Sequence, residues 1–269
     1  MKNILIILAL VAGFIQVKAG TIVVDGRYQG KNLYVQNAFS ESGVGFCVTE
    51  VRVNGELTTD EWNSSAFEVD FLGRQLKLGD PVKIEIRHKD ACAFPVRVLN
   101  PEVLKPTSTF KVSAMKVDKI SGELTWSTTG ETGELNFIVE QYRWNKWVKV
   151  GTVRGQGIPT KCDYNMMLKP HSGPNKVRVK QIDYSGPRYS TVYQFRTIIP
   201  EIQFAPKKVE DEIIFTDDEL TEIETMYEIY DQFGNLVLKG FSSKVNASSL
   251  KKGVYYLNFD AKTSEFIKR

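Results

Sequence analysis

Short apolar runs recur roughly every 8–12 residues along the chain, each bounded by turn formers, and this is the spacing of β-sandwich strands. Val82, Ile84 and Ile86 alternate with Lys83 and Glu85, and Val177 and Val179 alternate with Lys176, Arg178 and Lys180. That period of two puts one set inward and the other outward. Asp25-Gly26, Asn54-Gly55 and Gly79-Asp80-Pro81 punctuate the runs, and Asn54-Gly55 between Val53 and Leu57 predicts a tight hairpin. No segment of useful length keeps a 3.6-residue period; residues 59–66 allow one helical turn at most. The pattern predicts an all-β chain of three consecutive β-sandwich units at residues 20–106, 107–197 and 201–269. Asn100-Pro101 and Lys105-Pro106 mark the end of the first.

The N-terminus does not belong to this pattern. After Met1, Lys2 and Asn3, residues 4–17 are apolar apart from Gly13 and Gln16, and Val17-Lys18-Ala19 precedes Gly20. This predicts a secretory signal peptide over residues 1–19, cut after Ala19. The alternative, a membrane anchor, would need roughly 20 apolar residues. No other run is long enough to span a bilayer. An exported chain meets an oxidising compartment, so Cys47 and Cys92 are the expected disulfide and Cys162 is left alone. Three free buried thiols are the alternative.

Hydrophobic residues make up 42% of the 269 and charged residues 25%, which excludes disorder as the main state. The net charge of +3 gives no reason to expect nucleic acid. It is distributed unevenly: −2 over residues 20–106, +7 over 107–200 and −4 over 201–269. In the basic middle unit, Lys176, Arg178 and Lys180 share strand parity, with Trp144 and Trp147 nearby. They read either as a face for an anionic partner, lipopolysaccharide or an acidic protein, or as an ordinary solvated sheet face.

Two stretches carry more specific information. "GELTWSTTGETGELNFIVEQYRWNKWVKV" followed by "VRVKQIDYSG" resembles the fibronectin type III-like module of secreted Bacteroidetes-type proteins, with Trp126 as its core tryptophan. In the third unit, Tyr230 and Asp231 precede a Gly234 turn and the return residues Leu236 and Val237. Leu250, Gly253, Val254 and Tyr255 follow, and the chain ends on the basic residues Lys268 and Arg269. This unit resembles the type A C-terminal sorting domain of the type IX secretion system. The resemblance implies export to the outer membrane, cell surface or medium, and recognition by the type IX translocon and attachment machinery. It also implies possible removal of the tail by a cut near residues 198–206. Within the unit, Ile229, Leu236, Leu238, Val254 and Tyr256 are the expected core, and Gly234 and Gly253 the expected positive-φ positions.

Catalytic chemistry is not expected. Asp60 with Glu61, and Asp217, Asp218 and Glu219, lie in polar turns; His88 and His171 are isolated, and no nucleophile elbow, phosphate loop or Cys-x-x-Cys is present. No metal or cofactor is expected. Two function classes remain: a component or accessory of the secretion and attachment machinery, of the small PorA-like kind, or a passenger adhesin or ligand-binding protein exported by it.

Overall fold

A computed structural model describes residues 20–269 and, for the backbone, Val17–Lys18. The expected signal peptide lies outside the described residues except for those two, which pair with the strand Thr21–Arg27. The architecture is all-β: six sheets pair face to face around three separate apolar cores. Two 3₁₀ turns, Leu72–Arg74 and Pro101–Leu104, are the helical elements among the described residues, and 59–66 holds neither.

In the first unit, Thr21–Arg27, Pro81–His88 and Val48–Val53 are the central strands of one sheet, facing a smaller sheet of Ala66–Val69, Leu33–Gln36 and Arg97–Val98. The alternation in Pro81–His88 sends Val82, Ile84 and Ile86 into the core. Asn54 (φ 52°) and Gly55 (φ 85°) make the hairpin to Glu56–Leu57, with both central residues left-handed as a type I′ turn requires.

In the second unit, Lys111–Val117, Glu123–Thr129 and Cys162–Met167 face a larger sheet built on Lys146–Arg154, Asn136–Arg143 and Pro174–Asp183. Trp126 is buried between Tyr164, stacked at 5.3 Å, and Phe137, edge-on at 5.9 Å. Glu131 is buried too. Its carboxylate accepts from Tyr164 Oη (2.7 Å), Gly157 N (2.9 Å) and the Thr128 hydroxyl, which ties the loop after Arg154 to the core.

The third unit packs Gln203–Ala205, Glu212–Thr216 and Lys244–Asn246 against a five-stranded sheet in the order Lys208–Val209, Lys262–Lys268, Gly253–Phe259, Thr225–Asp231, Leu236–Ser242. Its core corrects the expected inward set. Ile229 is buried and Leu238 packs against the core, but Leu236, Val254 and Tyr256 point outward, 45%, 40% and 45% exposed. Tyr255, Leu257 and Phe259 take the inward places. Two causes are visible. Gly253–Phe259 carries apolar side chains on both parities. A bulge beside Tyr230 also sets Ile229 opposite Leu238 but Tyr230 opposite Leu236, which shifts the parity of the return strand. Ile202 and Phe204 are buried in this core, so the region marked for a cut, 198–206, runs into the unit's first strand. The connection proper is 197–201.

Candidate functional site: the C-terminal unit and its joint

The expected motif residues of the third unit form one hairpin and one terminal strand pair. Asp231 builds the turn. Its carboxylate accepts from Phe233 N, Asn235 N and Asn235 Nδ2, each at 2.9 Å. The bonds from Asn235, side chain first and then backbone, hold its pKa below the ordinary aspartate value. Gly234 sits at φ 83°, where a Cβ is disfavoured. Leu250 packs against the core, and Tyr255 is buried with its hydroxyl donating to Lys251 O at 2.9 Å, fixing the turn before Gly253. Lys268 lies on the buried side of the last strand and donates to Arg269 O (2.8 Å), whereas Arg269 is exposed.

The third unit is clamped to the second by a hairpin that the sequence marked only for its aromatics. Asn136–Arg143 turns into Lys146–Arg154 through Trp144 (φ 50°) and Asn145 (φ 60°). A tryptophan in the left-handed region is strained by about 1–3 kcal/mol and persists only where its surroundings hold it. Here Nε1 of Trp144 donates to Phe259 O of the third unit at 3.3 Å. Trp144 is therefore part of a joint and not an open stacking platform.

Beside it, Arg143 is 2% exposed. Its guanidinium donates to Asp260 O (3.3 Å), Gln141 Oε1 (3.2 Å) and Lys169 O. Burial pushes its pKa down to about 10, against the opposing pull of Asp260. Asp260 (φ 47°, 1% exposed) accepts in turn from Ser172 N (2.7 Å) and Ser172 Oγ (2.5 Å). Lys146 reaches Glu228 Oε2 (2.6 Å) and Tyr230 Oη (2.9 Å), while Tyr230 donates to the same Glu228 oxygen at 2.7 Å. Burial works to raise the pKa of Glu228, but the bonds from Lys146 and Tyr230 outweigh it and hold it low. The ammonium of Lys169 lies 3.7 Å from the Phe241 ring centre.

His171 is buried at this joint, its ring nitrogen Nδ1 2.6 Å from Ser172 O. Burial lowers its pKa; the Ser172 carbonyl opposes that, and the nearby Arg143 adds to the depression. An unfolded histidine titrates near about 6.5. Below that pH the unfolded chain therefore binds more protons than the folded one, and stability falls on acidification until the folded pKa is passed. Thermal melts at pH 7.5 and 5.5 should show this loss, and His171→Gln should remove part of it. An unchanged pH dependence in the variant would mean His171 takes no part.

The basic face of the middle unit is partly engaged by its own neighbours. Lys176, Arg178 and Lys180 do share the outward side, with Val177 and Val179 buried. The strand register, however, places Arg178 directly opposite Glu140, which is 5% exposed. Glu140 binds Arg178 at 2.8 Å and also pairs with Lys180. Arg178 is further held between Trp147 and Tyr189, 4.1 Å from each ring centre, and Lys176 lies 5.4 Å from that of Tyr142. The stripe is a ladder of cations and rings in which one carboxylate, Glu140, is shared by Arg178 and Lys180, with Lys176 as its exposed charge.

Cys47 and Cys92 are bonded, with Cα atoms 5.9 Å apart and a separation of 45 positions in sequence. Cys162 is free, and burial raises its thiol pKa. The acid clusters serve turns: Glu61 accepts from Asn63 N (2.7 Å), and Asp217 from Glu219 N (2.9 Å) and Thr221 N (2.8 Å). Among the described residues no group of three His, Cys, Asp or Glu side chains could hold a metal, and no helix is long and apolar enough to cross a membrane.

The family described as the secretion system C-terminal sorting domain matches residues 206–269. That match covers the third unit from just after its first strand and implies a chain that interacts with the type IX machinery and is exported to the cell surface or the extracellular space. No curated protein matches the chain. Among solved structures, it is similar to the FN1–FN3 domains of chicken CNTN1 at 12% identity, covering 94% of this chain and 96% of that one, with a TM-score of 0.25. It is also similar to a tetra-tandem repeat from the extending region of a large adhesion protein at 12% identity, covering 95% and 71%, with a TM-score of 0.28.

Proposed function

We propose that this is a non-catalytic, exported cell-surface protein that keeps its sorting domain and serves as a component or accessory of the type IX secretion and attachment machinery. One observation carries the reading: the sorting unit is docked on its neighbour by buried polar groups and is not tethered by a free linker. A tail that is cut off after transit gains nothing from Arg143, 2% exposed, reaching across to Asp260. The connection 197–201 is itself held, with Thr197 Oγ1 donating to His171 O at 2.8 Å and Lys262 pairing with Glu201 at 2.6 Å. The passenger reading requires a cut within this segment.

Mass spectrometry of the protein taken from the cell surface tests the choice. The mature chain should extend to Arg269. Removing residues 201–269 should leave it in the periplasm, and removing the whole protein should impair surface attachment of other sorting-domain proteins. A surface form ending near residue 200, with other cargo unaffected, would make it a passenger.

A further inference from the structure

The outward side of the five-stranded sheet in the third unit changes character along its length. Next to the joint it is polar and occupied: Glu228, Lys239 and Asn258 lie there, and the middle unit reaches onto it through Lys146 and Lys169. At the far end it is largely apolar and open, with Glu265, which lies opposite Tyr256, as a charged side chain at its edge. Cross-strand register sets Val254 opposite Ile267, Tyr256 opposite Tyr230, and Tyr230 opposite Leu236, so these side chains form one stripe over four neighbouring strands. Ile267, Val254, Tyr256 and Leu236 are 40–46% exposed, and Phe233 in the adjoining turn is 79% exposed.

A contiguous apolar stripe on an outer sheet face is a binding surface or a liability. Its rim favours the first. The unit carries a net charge of −4, yet exposed Lys208, Lys251, Lys252 and Arg269 gather at this end and outnumber Glu210 and Glu265 there. Lys208 lies beside Ile267, Lys251 and Lys252 lead into Gly253, and Arg269 follows the last strand. The stripe is also continuous with the joint, because Tyr230 belongs to both. We propose that the component of the export machinery that receives the tail docks on this far end, through an apolar surface with an acidic rim. The proposal rests on the sorting-domain reading above and specifies which face of the unit is read.

The test uses the full chain in its own cells. Val254→Asp combined with Ile267→Ser alters the stripe, and Lys251→Glu combined with Lys252→Glu alters the rim. Lys239→Gln on the polar part of the same face is the control. Because all these positions are exposed or partly exposed, the purified variants should melt within a few degrees of the parent. The stripe variant should lower the surface-to-periplasm ratio at least tenfold, the rim variant several-fold, and the control should leave it unchanged. If one variant is misfolded by its melting curve, the other decides. Normal export of the folded stripe and rim variants, while deletion of 201–269 blocks export, would overturn the docking face and leave the sorting reading standing. Normal export of the deletion itself would overturn both.

Discussion

Arg143→Ala should release the third unit from the second while leaving each sandwich folded. The side chain is 2% exposed and satisfies three acceptors, Asp260 O, Gln141 Oε1 and Lys169 O. Truncation strands them in a closed joint, at about 1–3 kcal/mol for each buried group that water does not reach. Partial hydration of the vacated space brings the expected loss to about 3 kcal/mol. It should appear as rapid proteolysis in the connection 197–201, in a chain whose first two units still melt as before. Arg143→Lys should recover only part of the docking, since an ammonium cannot span the three acceptors that the planar fork reaches. Equal protease resistance in the parent and the alanine variant would show that the joint is held by something else.

Replacing Cys47 and Cys92 by serine should destabilise the first unit alone. Cross-linking residues 45 apart removes chain entropy from the unfolded state worth about 4 kcal/mol. The bridge pins the loop that carries the Phe39–Phe46 stack, with ring centres 4.3 Å apart, to the segment after His88. Loss of the bond should therefore loosen that end first. Hydrogen exchange should rise around residues 39–47 and 89–94 before it rises in the Pro81–His88 strand. Equal urea midpoints for the first unit in the two proteins would contradict the estimate.

How much of this could be read from the residues follows from the range of each interaction. Strand parity in Pro81–His88 and Pro174–Asp183 is local, since one side of each alternation is charged or polar. The Asn54-Gly55 and Gly234 turns are local as well, because the residue type itself signals the backbone angle. Tyr255 and Tyr256 differ in burial although they are identical neighbours, and only the pairing of Gly253–Phe259 with two other strands decides between them. Arg178 and Lys180 looked like free charge because their partner Glu140 is 38 and 40 residues away in sequence. The joint was least legible of all. Its turn uses Trp144 and Asn145 where a glycine would have given it away, and Arg143 meets Asp260 across 117 positions. An arginine ending an alternating strand reads as surface until the neighbouring unit is in place.

The first and second units also share a polar knot. Gln29 Nε2 donates to Thr132 O at 2.8 Å, and its Oε1 accepts from Thr107 Oγ1 (2.6 Å) and Thr132 Oγ1 (3.0 Å). Thr132 lies just before the strand Asn136–Arg143, and Arg143 ends it, so the two joints of the molecule sit at opposite ends of one strand. A pull between the N-terminal unit and the tail would enter the middle unit on the backbone at Lys111–Val117 and leave it at Tyr193–Arg196, and the two joints add a second path along that strand. Its hydrogen bonds to Lys146–Arg154 on one side and Pro174–Asp183 on the other lie across the pull, as in any antiparallel ladder. They would be loaded in shear, many at once, and would not peel open one by one. The middle sandwich is thereby placed to share tension between its two neighbours.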